Sequence, residues 1–169
     1  MITYYTKEGK FKVHIGYISY GKLHRLDGPA LIFSNGTKKW YVNGKLHRLD
    51  GPAIEWITGR KEWYQNGKLH RLDGPAIIWS NGDEEWWVNG KRHKLDGPAI
   101  IFADGSKEWW VNDKLYRLDG PAIIWSNDEK EYWINDEQLN TNKVEDWIKN
   151  NNINLKTKEH QALFMLRFW

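Results

Sequence analysis

The sequence predicts a mainly β protein: a tandem array of 23-residue β-hairpin repeats with a C-terminal α-helical cap. Three observations carry this. The decapeptide GKLHRLDGPA at 21–30 returns from Gly44 and Gly67, and in altered form from Gly90 and Asp113, each copy 23 residues after the last. Every copy alternates short β-branched and aromatic runs with Asn-Gly or Asn-Asp pairs. After Asp136 the period stops and apolar residues fall at helical spacing. A fixed short period marks a repeat architecture, in which copies too small to bury their own apolar face must stack on one another. The expected layout is an N-terminal capping hairpin over 1–20, five hairpin repeats over 21–135 and a helical cap over 136–169.

Within the segment LDGPAIIWSNGDEEWWVNGK, Pro75 suits the first residue of a strand, where its missing N–H does no harm. Residues 76–79 read as strand A, rich in β-branched and aromatic types. Residues 80–83, Ser-Asn-Gly-Asp, read as a hairpin turn of type I′, and 84–88 as strand B. Asn89-Gly90 is a second turn, followed by a short extended piece and by Leu95-Asp96-Gly97, which leads into the next proline. Two full strands per copy keep all copies in one orientation, whereas three in a plain meander would flip alternate ones. Identical sequences imply identical surroundings, so two strands plus the connector KLHRLDG is the expected unit. Successive copies then advance by about 10 Å, two strand spacings. The array forms either a single-layer elongated sheet or a β-solenoid.

Two aromatic rows are the expected core: Phe33, Trp56, Trp79, Phe102 and Trp125 on strand A, and Trp40, Trp63, Trp86, Trp109 and Tyr132 on strand B. In the second copy Glu55 and Gln65 replace apolar residues together, which predicts one wetter face there. At the N-terminus, residues 2–20 alternate like a degenerate hairpin that turns at 7–10 and covers an otherwise exposed sheet edge. In the tail, Asn142-Lys143-Val144-Glu145 resembles a capping box, with Val144, Trp147 and Ile148 on one helical face. Thr157 is placed to cap a second helix carrying Ala162, Leu163, Leu166 and Phe164. These side chains are expected to cover the last strand, with Trp169 docked.

Composition excludes several function classes. The absence of cysteine removes disulfides, thiolate zinc sites and cysteine nucleophiles. The net charge of +3 is spread evenly, with 17 basic and 16 acidic residues over 21–135. A nucleic-acid interface concentrates its basic residues on one face or segment, and no segment does so. The first residues lack a signal peptide's apolar core, and no apolar run is long enough to span a bilayer. The expectation is a cytoplasmic protein without a transmembrane segment.

The units EWYQNGKLHRLDGPAIIW and their siblings resemble the MORN-repeat variant group, whose aromatic strands run into an Asn-Gly-Lys turn. The resemblance spans residues 21–135. The His-Arg-Leu-Asp-Gly-Pro-Ala segment departs from the glycine-richer standard pattern and is similar to repeat proteins of bacteriophages and giant DNA viruses. It implies a hairpin array used for interaction, without a common catalytic activity, in the host cytoplasm if the source is viral. A weaker resemblance, to choline-binding hairpin repeats, implies carbohydrate or choline recognition, against which the missing secretion signal counts.

Candidate sites fall at the repeated positions. His24, His47, His70 and His93 form a ladder, but imidazoles about 10 Å apart cannot share a metal whose bonds are about 2 Å. They read as structural imidazoles bonded to backbone groups, and no metal or cofactor is expected. Arg25, Arg48, Arg71, Lys94 and Arg117 stand two positions before Asp27, Asp50, Asp73, Asp96 and Asp119, on the same side of an extended segment. They form either a structural ion-pair ladder or, for the arginines, a row that binds carboxylates or phosphates. The second aromatic row, Tyr41, Tyr64, Trp87, Trp110 and Trp133, lies opposite the first row and is either covered or presented to a partner. With Arg25, Arg48, Arg71 and Arg117 it makes the candidate binding surface. No nucleophile motif, phosphate-cradling loop or unique carboxylate pair is present, and every acid and base of the array recurs. The reading is a non-catalytic interaction scaffold with a protein partner. The alternative is a multivalent binder of nucleotides or other small anionic or aromatic molecules.

Overall fold

The computed structural model describes residues 2–6, 9–13 and 22–169. It is mainly β, with hairpins recurring every 23 residues and two C-terminal helices. The chain divides into two compact units, Met1–Gly90 and Lys91–Trp169.

In the first unit the ladder is antiparallel throughout. The strands Ile2–Thr6 and Gly9–Val13 form the expected N-terminal hairpin, and Ile2–Thr6 lies between its partner and Leu31–Phe33. The turn residues 7–8 and the remainder of the proposed cap, 14–20, lie outside the described residues. The ladder continues through Lys38–Lys39, Ile54–Glu55, Lys61–Glu62, Ile77–Ile78 and Glu84–Glu85. The second unit repeats the scheme with Ile100–Ile101, Lys107–Glu108, Ile123–Ile124 and Lys130–Glu131. Each copy adds two strands, so copies within a unit keep one orientation. Trp40, Trp63 and Trp109 donate their backbone N–H groups to the carbonyls of Ala53, Ala76 and Ala122 in the following copy.

Strand B is not continuous. It leaves the ladder at the first-row aromatic, and its second half forms a separate two-residue hairpin with the start of the connector. Tyr41–Val42 pairs with Lys45–Leu46, Tyr64–Gln65 with Lys68–Leu69, Trp110–Val111 with Lys114–Leu115, and Trp133–Ile134 with Glu137–Gln138. The cause is the two-residue Asn-Gly or Asn-Asp loop. Asn66 and Gly67 have φ of 52° and 83°, and Asn112 and Asp113 of 54° and 66°, a type I′ turn that folds the chain directly back on itself. The first turn of each copy differs from the expectation. Gly82 has φ 95° while Asn81 is not left-handed, and the Gly82 N–H reaches the Trp79 carbonyl. This is a type I turn closed by a left-handed glycine, which suits the longer loop.

The core also differs from the expectation. In the repeat ladder the buried apolar side chains are the alanine row, Ala30, Ala53, Ala76, Ala99 and Ala122, and beside it Leu31, Ile54, Ile77, Ile100 and Ile123. The aromatic rows expected there are half-buried, except Tyr132, which is buried, and Trp125, which is more exposed. Ladder strands of two residues leave room for small and β-branched side chains between copies. Indoles have a polar edge that must reach a partner, so they stand at the strand ends.

The tail covers the last copy, as expected. Helix α1, Thr141–Asn150, is capped by Asn140, whose Oδ1 accepts from the Lys143 N–H at 3.0 Å, two residues before the expected cap. Helix α2, Lys158–Phe168, starts at Thr157, whose Oγ1 accepts from the His160 N–H. Val144 and Phe164 pack with Tyr132, Ile134 and Leu155. The inward face of α2 is Phe164 with Phe168, stacked around Trp147 at centroid distances of 5.3–6.2 Å. Leu163, Leu166 and Trp169, expected to pack, are exposed instead, because the Phe164–Phe168 pair takes the facing side of the helix.

Candidate functional site

The recurring segment Arg-Leu-Asp-Gly-Pro builds the same small device in the four copies that carry the arginine; the fourth copy has Lys94 in its place. Its arginine lies over the first-row aromatic, with Arg48 4.2 Å from the Trp40 ring centre, Arg71 4.2 Å from Trp63 and Arg117 3.8 Å from Trp109. Arg25 lies likewise 4.1 Å over Tyr5 of the N-terminal hairpin. Nε donates to the aspartate two residues on, at 2.8 Å for Arg25–Asp27 and 2.9 Å for Arg48–Asp50 and Arg71–Asp73. Nη1 donates to the carbonyl of Pro29, Pro52, Pro75 or Pro121. A Cβ on Gly51 would lie 2.9 Å from the Arg48 Cζ, so glycine is needed for the guanidinium to rest on the turn. The arginine beside each of Asp27, Asp50 and Asp73 holds its carboxyl below the usual carboxylate range. In the second copy Glu55 also takes Arg48, at 3.0 Å.

The histidine ladder is structural as read. Nδ1 of His24, His47, His70 and His93 accepts the backbone N–H of Asn43, Asn66, Asn89 and Asn112, the first turn residue of the next hairpin, at 3.1–3.3 Å. Each bond ties a connector to the turn 19 residues on and uses Nδ1 as the unprotonated nitrogen; at His93 the same nitrogen also lies 3.1 Å from Asn112 Oδ1. Where the turn carries aspartate rather than glycine, Oδ1 of Asp113 and Asp136 accepts the N–H groups of Arg92 and Leu115 at 2.8 Å.

The second aromatic row is tied down by a glutamate row that the sequence reading did not single out. Glu62 accepts Trp56 Nε1 at 2.6 Å on one oxygen and the Tyr64 hydroxyl at 2.9 Å on the other. Glu85 bridges Trp79 and Trp87 in the same way, and Glu131 bridges Trp125 and Trp133. Glu108 accepts from Trp110 at 2.7 Å, opposite Phe102, which has no donor. In the first copy Lys39 takes the position and lies 5.5 Å from the Phe33 ring and 4.8 Å from that of Trp56. Glu62 is 4% exposed; Arg60 Nε lies 2.9 Å from it, off the hydrogen-bond direction, and stacks 3.6 Å over Trp79. Burial raises the hydroxyl pKa of Tyr41, and burial with the Glu62 charge raises that of Tyr64. The detectable signal was the Glu-aromatic-aromatic triplet that recurs in every copy after the first.

These contacts place the two halves of the candidate surface apart. Arg48, Arg71 and Arg117 serve the first aromatic row and Arg25 serves Tyr5, whereas Tyr64, Trp87, Trp110 and Trp133 serve the glutamates. Between successive connectors open clefts. In the first unit one of about 520 Å³ runs from Arg25–Gly28 to His47–Asp50 over Trp40 and Val42. The next, of about 570 Å³, runs from Arg48–Gly51 to His70–Asp73 over Trp63 and Gln65. At their rims stand Leu26, Leu49 and Leu72, exposed by 79%, 74% and 78%. These leucines are inconspicuous in the sequence because each sits between an arginine and an aspartate; the signal was one apolar residue kept in a polar turn in all five copies.

In the second unit the equivalent cleft, about 620 Å³, has Lys156 and Gln161 of the tail in its wall. There Leu118 packs against the tail core and Lys156 Nζ reaches Asp119 Oδ2 at 2.6 Å. Burial pushes the Asp119 carboxyl up, but the hydrogen bonds of Arg117 and Lys156 outweigh it and hold the group below its usual range. No model of a known protein family matches the chain, and no curated protein matches it.

Proposed function

We propose that the protein is a non-catalytic repeat scaffold that docks a protein partner along its connector face. The observation that carries this is the leucine row. In four copies the same side chain, Leu26, Leu49, Leu72 or Leu95, stands about three-quarters exposed beside a cleft, while the equivalent Leu118 is covered by the chain's own tail. An apolar side chain repeated at one open position is an interaction feature rather than chance exposure. Arg25, Arg48, Arg71 and Arg117 support the surface from beneath by holding the turn, and the aspartates give it a polar rim. The second aromatic row, with its indole and phenol donors used by glutamates, stiffens the copies that present it.

The test is crosslinked capture from the source cell with wild type and with the Leu49→Ser/Leu72→Ser variant. Loss of the captured protein from the variant supports the reading; equal capture by both sinks it. A second reading, multivalent small-ligand binding, draws on the recurring clefts with arginine in their walls. Titration with a nucleotide panel, followed by tryptophan fluorescence, gives saturable quenching at several sites if that reading holds. A flat response removes it.

A further inference from the structure

We infer that the occupant of the open connector clefts is the outer face of helix α2 of a second copy of this chain, which gives a head-to-tail association. The inference rests on the reading of the leucine row as a docking surface and adds what docks there.

Two unpartnered apolar faces exist among the described residues, and they are complementary. One is the row of Leu26, Leu49 and Leu72, each followed by an aspartate whose side chain is 84–85% exposed. The other is on α2. With Phe164 turned inward, Leu163, Leu166 and Trp169 are exposed by 43%, 85% and 57%. Leu163 and Leu166, three residues apart, are neighbours on the helix, and Trp169 caps its end. Exposed Lys158 and Arg167 border this face, Arg167 with its guanidinium 5.7 Å over the Phe168 ring, and exposed Glu159 lies on it four residues before Leu163, so the face carries one more cation than anion.

The last copy shows what this surface accepts. Leu118 is covered by apolar residues of the tail, and Asp119, already paired with Arg117, takes Lys156 on its second oxygen. An apolar side chain on the leucine and a cation on the aspartate is therefore a pairing the molecule already makes. The α2 outer face offers the same two chemistries, Leu166 with Arg167, to the copies whose leucine and aspartate are open. From Leu163 to Leu166 the helix advances about 4.5 Å, which fits within the roughly 10 Å between successive connectors. The row and the helix face are different surfaces of one chain, so the contact is heterologous, and each molecule that docks presents a further row. A single helix in a shallow cleft is a small interface, so the association is weak and appears on concentration.

The test uses sedimentation velocity on the full chain. Wild type is expected to gain mass progressively with concentration. A row variant carrying Leu26→Ser, Leu49→Ser, Leu72→Ser and Leu95→Ser is expected to remain a monomer. So is a tail variant carrying Leu163→Ser and Leu166→Ser. Mixed in equal amounts, the two variants should form a dimer that grows no further, because the intact tail of one meets the intact row of the other. Leu166→Lys alone, at the most exposed position, is expected to weaken association about tenfold, as loss of an anchor does. Near-ultraviolet circular dichroism checks that the tryptophan surroundings are unchanged. A wild type that stays monomeric at every concentration overturns the inference, as does a variant that associates like wild type or a mixture that yields no dimer. If wild type is monomeric but cellular capture still depends on the leucines, self-association falls while the docking surface stands. If neither experiment depends on them, both fall.

Discussion

Leu49 in the first unit and Leu118 in the second occupy the same place in the same motif, yet one stands in solvent and the other lies under the tail. The sequence around them is nearly the same, RLDGPA in both. The difference lies downstream in the chain. Another copy succeeds Leu49, whereas beyond the last copy the chain turns helical and folds back. A repeat thus makes a cleft by default, and a change of period decides whether the tail enters its wall. The comparison also orders the energetics, since the tail brings rings and aliphatic groups together while the open copies rely on hydrogen bonds between neighbours.

The largest effect should come from the centre of the covered region. Phe164→Ala removes a fully buried ring that touches Tyr132, Trp147 and Phe168, at a cost of about 3–5 kcal/mol. Urea unfolding should show the loss, and hydrogen exchange should place it in the second unit. If the first unit loses protection equally, the two regions are not separable. Next, Glu62→Ala leaves the Trp56 and Tyr64 donors and the Arg60 guanidinium without their buried carboxylate, a loss of about 3 kcal/mol. Glu108→Ala, with its bond to Trp110, should cost about 1 kcal/mol. Equal losses would mean that the glutamates do not act through the bonds described.

The direct comparison is Leu118→Ala against Leu49→Ala. The first should cost about 1–2 kcal/mol from lost burial, the second should stay within about 0.5 kcal/mol. Thermal melts of the two variants suffice, and a destabilising Leu49→Ala would show that the open row is structural. The smallest effect concerns acid. Asp119 has its folded pKa depressed, so its contribution is complete above the unfolded value near 4 and is lost as the pH falls through the lower folded value. Stability should therefore decline below about pH 4, less so in Asp119→Asn. An unchanged acid limb in that variant would count against the Arg117–Asp119–Lys156 cluster.

Much of this is legible in the residues alone. The 23-residue period, the Asn-Gly turns and the switch to helical spacing each have a local cause, and all appear where the residues put them. The histidine ladder was readable as structural because its spacing forbade a shared metal. What was missed depends on neighbours. Strand B breaks at Trp40 and Trp63 because the type I′ loop pulls its second half onto the connector, although 84–88 reads as one run. The aromatic rows look like core by size, yet alanine and isoleucine fill the space between two-residue ladder strands. Leu163 and Leu166 look buried by hydropathy, but Phe164 and Phe168 won the inward face.

By itself the sequence determined the repeat, its second, type I′ turn, the orientation of successive copies within a unit and the change to helix, because these follow from backbone preferences acting over a few residues. Only the tertiary structure decided which side chains are covered. Burial depends on which surfaces meet across copies and on where the tail comes to rest. Hence Leu118 is sheltered and Leu49 is not, although the residues on either side of them are the same.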